Sequence, residues 1–303
     1  MSAPKSIIVV GSTNTDMVIK TNNFPLPGET ILGGEFFMFP GGKGANQAVS
    51  ASRLGGKVTF IAKVGNDVFG KQALQQFKKE GICTDYIVSD TKHPSGVALI
   101  TVDGKGENTI VVAQGSNGTL SPDDLRQAER EFELAEILLM QLEIPMQTVM
   151  HAAKLANLHG KKVILNPAPA TPLPPELFRD IYIITPNKSE TETLTGINIT
   201  TMESVEAAAQ KIRDKGVTHV VITLGAEGAY ILNKDGGRHI ATPRVQAIDS
   251  TAAGDVFNGA LAVAISEGEE LNQAVLFANR AAALSVTKMG AQASAPFRIE
   301  LRN

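Results

Sequence analysis

The 303-residue sequence predicts an α/β fold: a mostly parallel central sheet with helices on both faces, plus a small separate β-sheet. Two observations predict the core. Short branched apolar runs recur that are too brief for helices and apolar on both faces, as strands of a buried parallel sheet are. Between them lie helical segments with start and stop signals, the alternation expected of a sheet covered on both sides. A third observation predicts the second sheet, because two stretches break the alternation and contain no helix.

In chain order, "SIIVVG" (6–11) opens the core sheet, and 13–39 follows as two strands around "FPLPGE". "VTFIAKVG" (58–65) returns to the core. Residues 95–113 read as a hairpin, two β-branched runs around an Asp103-Gly104 turn. "SPDDLRQAEREFEL" predicts one helix with Ser121 as cap, Pro122 at its first position and Asp124 three residues after the cap. "ILLMQLE" (137–143), "VILNP" (163–167), "YIITPN" (182–187) and "HVVITLG" (219–225) add strands. Helices between them stop at Gly160 and Gly216, the second with basic residues in its last turn. The core then spans 1–12, 40–94 and 114–303, and the inserted sheet takes 13–39 and 95–113. One face of that sheet has no helix to cover it. Phe36, Phe37 and Phe39 are expected there, facing a substrate or a partner subunit; a plain β-extension is the alternative.

Composition narrows the class. Hydrophobic residues make up 43% and the formal net charge is −3, so no nucleic-acid or other polyanion partner is indicated. The single cysteine, Cys83, excludes an internal disulfide and a cysteine-rich metal site. The apolar run Ile7 to Val10 is too short for a signal-peptide core, and no later window is long enough to span a bilayer. A soluble, cytoplasmic protein is expected.

The strand ends share a pattern. Asn14 and Asp16 follow the first strand, Glu143 closes another, and Asn166, Asn187 and Gly225 follow three more. Ligands of open α/β sheets bind beyond the carboxyl ends of the strands, so these residues converge on one cleft. Asn and Gly also favour turns for their own reasons.

Within "PGGKGANQAVSASRLGG", from Pro40, Gly41, Gly42 and Gly44 let the backbone approach a ligand, and the next helix aims its N–H groups at it. The loop is not a Walker A motif, since Gly44 follows Lys43. It is not a dinucleotide fingerprint, since Gln47 stands at the third glycine. Lys43, Asn46 and Asp16 remain, a set suited to hydroxyl groups; a capped helix after a glycine turn explains the segment equally. In "DSTAAGDVFNGALAVAI" (249–265), Ala252, Ala253 and Gly254 leave room for a phosphoryl group against bare N–H groups at a helix start. Asp255 beside them reads either as a first-turn acid or as a base accepting a proton from a hydroxyl.

Together, "GGKGANQA", "TPNKSE", "TLGAEG" and "DSTAAGD" resemble the ribokinase/PfkB family of carbohydrate kinases in order and spacing over essentially the whole chain. The resemblance implies a ribokinase-like fold with a β-sheet lid that doubles as a homodimer interface. It implies MgATP-dependent phosphorylation of ribose at its 5-hydroxyl, with Asp255 as base and the N–H groups of Ala252, Ala253, Gly254 and Asp255 as anion hole. By the same resemblance Asn14, Asp16, Gly42, Lys43, Asn46 and Glu143 hold the sugar, while Asn187 and Glu190 position Mg2+ and phosphate. Thr223, Gly225, Gly228 and Asn279 line the ATP site, and Asp249, Thr251, Ser285, Lys288, Gly290 and Ser294 bind a monovalent cation, usually K+. Ser250 and Ala252 depart from the commoner Thr and Gly. The competing readings are a sister kinase for 2-deoxyribose, fructose or adenosine, and a non-catalytic sugar or nucleotide sensor.

Overall fold

The computed structural model describes residues 6–301 of the chain. The first half comprises β1 (Ser6–Val10), β2 (Asn14–Lys20), β3 (Glu35–Gly41), α1 (Lys43–Arg53), β4 (Lys57–Gly65), α2 (Val68–Lys79), β5 (Ile87–Asp90), β6 (Gly96–Val102), β7 (Asn108–Ala113), α3 (Pro122–Leu125) and α4 (Glu129–Leu134). There follow β8 (Ile137–Met140), α5 (Met146–Leu158), β9 (Lys162–Leu165), α6 (Pro175–Phe178), β10 (Ile183–Ile184), α7 (Lys188–Thr195) and α8 (Met202–Arg213). The last part holds β11 (His219–Thr223), β12 (Ala229–Asn233), β13 (Gly236–Ile240), α9 (Ala253–Ser266), α10 (Leu271–Ser285) and α11 (Ala291–Ser294).

Nine strands form the core sheet in the order β13-β12-β11-β10-β9-β8-β1-β4-β5. It is parallel from β11 through β5, as its branched apolar runs predict, and β12 and β13 are added antiparallel at the β11 edge. In β1, Ile8 and Val10 join one buried cluster with the α3–α8 side, and Ile7 and Val9 join the other with α1, α9 and α10. Alternate residues of one strand therefore feed cores on opposite faces. The strand order reverses between β1 and β8, so their carboxyl ends open a crevice. Ser12 and Glu143 meet in it.

The second sheet has the order β3-β2-β6-β7, drawn from 13–41 and 95–113. Its register corrects the expected phenylalanine face. Phe37 lies opposite Val18 and Phe39 opposite Asp16, so these two share one face and their rings stack 5.9 Å apart. Phe36 lies opposite Ile19 and points the other way with Met38, because strand side chains alternate. The expected helix from Pro122 is also shorter. The Ser121 capping box forms, but a 3-10 turn at Arg126–Ala128 divides α3 from α4. The hairpin turn is longer than an Asp103-Gly104 pair: it runs over residues 103–107 and opens on Asp103, whose carboxylate accepts from the N–H groups of Lys105 and Glu107. Among the described residues, no helix is long and apolar enough to cross a membrane.

Candidate active site

The glycine loop packs more tightly than its sequence requires. A Cβ on Gly42, where φ is 88°, would fall 2.7 Å from the Asn14 nitrogen, and one on Gly41 would fall 2.2 Å from the Asp16 carboxylate. These glycines let β3 close against the start of β2, which sets Asp16 beside α1. The first N–H groups of α1 are not aimed at a ligand, contrary to the sequence reading. Lys43 N–H donates to Glu143 Oε2 at 3.0 Å, Gly44 N–H to Ser12 Oγ at 3.4 Å and Ala45 N–H to the Ser12 carbonyl at 2.8 Å. Ser12 Oγ donates to the same Glu143 oxygen at 2.5 Å. Glu143 thus caps α1 through Oε2.

Asp255 lies in the first turn of α9 and is buried. Asn46 Nδ2 donates to its Oδ2 and Gln47 Nε2 to its Oδ1, each at 2.9 Å. Burial raises its pKa, and the Lys43 ammonium and the two amides oppose that shift. Asp16 is pushed up to about 6 by burial and by the charges of Glu143 and Asp255, with Lys43 opposing. Burial also works against the Lys43 ammonium, but Asp255, Glu143, Glu190 and Asp16 outweigh it and hold its pKa above the ordinary value. One cation among four carboxyls balances part of a desolvation cost that would otherwise reach several kcal/mol per ion.

At the α9 start, Ala252 is left-handed, with φ 59°. Ala253 N–H donates to the Ser250 carbonyl at 3.2 Å, so the expected ring of four bare N–H groups is smaller. Gly254 and Asp255 supply N–H groups in the first turn, where no intrahelical acceptor exists. Asn187 caps α7 in a box with Glu190: Asn187 N–H and Nδ2 each donate to a Glu190 oxygen, and Glu190 N–H donates to Asn187 Oδ1. Burial raises the Glu190 pKa, with the Asn187 N–H and Lys43 opposing.

Two cavities meet at this point. One of about 190 Å³ is lined by Lys43, Asn187, Glu190 and Ala252 to Asp255. The other, of about 960 Å³, shares Asn187, Thr223, Ser250, Ala253 and Gly254 with it and continues over Gly225, Gly228 and Asn279. Its apolar walls, including Val245, Phe257 and Val286, suit a flat heterocycle. Asn279 lines it, but its Nδ2 donates to the Ile240 carbonyl at 3.0 Å, so this amide also ties α10 to the end of β13. Lys188 and Arg244 line the same cavity and were not singled out from sequence, although Lys188 stands inside "TPNKSE".

Asp249 joins the loop before α9 to the segment before α11: its carboxylate accepts from Thr251 N–H at 2.9 Å and Gly290 N–H at 2.8 Å. Ser285 and Ser294 are buried, and each hydroxyl donates to a carbonyl of its own helix. Lys288 is paired with Glu300 at 2.5 Å. Asn14 is set by a residue outside the recognised motifs. Asn117 Nδ2 donates to Asn14 Oδ1 at 2.8 Å and to the Thr13 carbonyl at 3.0 Å.

A buried carboxylate beside a helix-start N–H pair, set between a polar hollow and a nucleotide-sized cavity, is the equipment of a phosphotransferase acting on a hydroxylated acceptor. The model of the pfkB family carbohydrate kinases matches residues 4–298, and the chain belongs to this family. It is 47% identical to a ribokinase of Haemophilus influenzae over 98% of this chain and 97% of the relative. It is 37% identical to a deoxyribokinase of Salmonella typhi over 96% and 95% of the two chains. The solved structure of an Arabidopsis thaliana ribokinase complexed with ribose and ATP superposes with a TM-score of 0.92 at 33% identity, covering 99% of this chain and 98% of the other.

Proposed function

We propose that this chain transfers the γ-phosphoryl group of ATP to the 5-hydroxyl of D-ribose, with Asp255 as the general base. The observation that carries the reading is the position of Asp255, between the hydroxyl-binding set Asn14, Asp16, Lys43, Asn46 and Glu143 and the N–H groups opening α9. Asp16 and Glu143 Oε1 accept from sugar hydroxyls; Asn14, Asn46 and Lys43 donate. Asp255 takes the proton of the attacking hydroxyl as its oxygen bonds to phosphorus. The Gly254 and Asp255 N–H groups then face the charge that develops on the transferring phosphoryl oxygens.

Among the described residues no three His, Cys, Asp or Glu side chains cluster as a metal cage. A divalent ion entering on the nucleotide phosphates fits this site, with Glu190 and Asn187 ordering it through water. Mg2+ held there would neutralise charge on the nucleotide phosphates. K+ is assigned to the Asp249–Thr251 and Ser285–Ser294 carbonyls, where its charge supports the anion-hole loop. The β2-β3-β6-β7 sheet is the lid over the sugar and a homodimer interface, and the lone Cys83 thiol suits a reducing cytoplasm.

Phosphorylation of 2-deoxyribose is the second reading, favoured by the 37% identity to a deoxyribokinase. The experiment is ATP-dependent ADP release with D-ribose, 2-deoxyribose, fructose and adenosine in parallel, with and without K+. Ribose turnover that exceeds the other three supports the proposal; a preference for another acceptor moves the substrate assignment. No turnover with ATP still bound would make the chain a sensor.

A further inference from the structure

Beneath the candidate base lies a chain of buried amides. Gln47 is fully buried; its Nε2 donates to Asp255 Oδ1 at 2.9 Å and to Asn166 Oδ1 at 3.0 Å. Its Oε1 accepts from Gln141 Nε2 at 2.5 Å. The direction of this chain is over-determined. Asn166 gives its own Nδ2 to the Thr185 carbonyl at 3.3 Å, so its oxygen must face Gln47, and a carboxylate only accepts. Gln141 in turn needs Gly11 to be a glycine, because a Cβ there would fall 2.2 Å from Gln141 Oε1.

The two oxygens of Asp255 are therefore unequal. Oδ1 is held from inside the core by a side chain with no route to a ligand. Oδ2 is held by Asn46, which belongs to the sugar-facing set and whose own Oδ1 is buried without a partner. We propose that Gln47, supported by Gln141, is the positioning residue for the base: it anchors Oδ1 and leaves Oδ2 to face the acceptor hydroxyl. The inference rests on Asp255 being that base. As the hydroxyl oxygen commits an electron pair to phosphorus, its proton passes to Oδ2, and the bond from phosphorus to the bridging oxygen breaks with its pair leaving on ADP. The Gln47 bond to Oδ1 is unchanged throughout, so the carboxylate need not rotate. The charges facing Asp255 are Lys43 from α1, Asp16 from β2, Glu143 after β8 and Glu190 from α7.

The test measures the single-turnover rate of phosphoryl transfer to D-ribose, with sugar affinity by calorimetry, in Gln47→Met, Gln141→Met, the double variant, Asn46→Ala and Asp255→Asn. Gln47→Met keeps volume and removes the donor. A lost hydrogen bond to a charged group lowers the rate by about tenfold to a hundredfold, and sugar affinity is expected to stay within about threefold. Gln141→Met gives the same split with a smaller loss and adds little to Gln47→Met, because it acts through that residue. Asn46→Ala lowers both rate and affinity. An unchanged rate in Gln47→Met while Asp255→Asn is inactive overturns this inference and spares the base. Near-normal turnover in Asp255→Asn overturns the base assignment itself. Lost affinity with an intact rate in Gln47→Met makes Gln47 part of the sugar surface and also overturns the inference. If Gln47→Met does not fold, the rate and affinity of Gln141→Met decide by the same criteria.

Discussion

Ala252 is the only non-glycine residue with positive φ among the described residues, and it opens the helix that carries the base. A left-handed conformation costs an alanine about 1–2 kcal/mol, and replacing it by glycine returns roughly 0.4–1 kcal/mol of that to the unfolded chain's entropy. Ala252→Gly is therefore expected to raise stability by about 0.5 kcal/mol, read as a melting point roughly 1 °C higher. A clearly lower melting point would show that the alanine is not strained. Asp16 gives a pH prediction. Its folded pKa of about 6 exceeds the ordinary 3.8. The folded state thus binds the extra proton between those values, and this group's contribution to stability falls as pH rises from about 4 to 6. Sugar binding in the proposed site, which would use the ionised acceptor, moves the other way. Ribose affinity by calorimetry is expected to be about tenfold weaker at pH 5 than at pH 7, the ionised fraction at each pH setting the ratio. A flat profile would remove Asp16 from the hydroxyl contacts. Asp16, Lys43 and Asp255 were legible because their local motifs place Asp16 just beyond the first strand, near the start of β2, and Lys43 and Asp255 at helix starts. Gln47, Gln141 and Asn117 were not read as functional, since the partners that give them meaning lie from 94 to 208 residues away in sequence.

At the level of elements, the parallel strands were legible where both faces are apolar, as in β1, β4, β8 and β11. β5 and β13 were not, because "IVSD" is short and "GGRHI" is polar and exposed at the sheet edge. β10 shrinks to two residues because the chain after Ile184 leaves the ladder toward the Asn187 cap. The second sheet was legible as a helix-free insertion, but the use of its faces depends on register. One face presents Ile19, Phe36, Met38, Leu99 and Val111, all exposed, with Leu99 opposite Val111. A patch of this size favours a partner over water, and a second copy fits the proposed lid interface. Leu99→Lys with Val111→Lys is expected to convert a dimer to a monomer in sedimentation while leaving the far-ultraviolet spectrum unchanged. A wild-type chain that sediments as a monomer at micromolar concentration would deny the interface.

For the molecule as a whole, four motifs widely separated in sequence converge because the sheet reverses its order between β1 and β8, and each motif follows a strand or opens a helix at that edge. That logic was legible in the residues; the tie between the α9 loop and the chain after α10 was implied only by the family resemblance. It depends on Asp249 reaching Gly290, 41 residues on, and on Ile248 and Asp249 both donating to the Val286 carbonyl. Asp249 is held below its ordinary pKa: burial pushes upward, but the Thr251 and Gly290 donors outweigh it. The loop thus keeps a carboxylate in the segment proposed to hold K+. An ion bound only by the folded chain stabilises it by an amount set by concentration over Kd, about 1.4 kcal/mol at ten times Kd. Exchanging Na+ for K+ at constant ionic strength is therefore expected to raise the melting point of the wild type by about 2 °C. Asp249→Ala should lose that cation dependence while D-ribose still binds. Equal melting points in the two salts would remove the cation from this loop, whereas a shift that survives in Asp249→Ala would move the ion to another site. Because the readout is stability, it separates a bound ion from a merely faster reaction in K+ buffer.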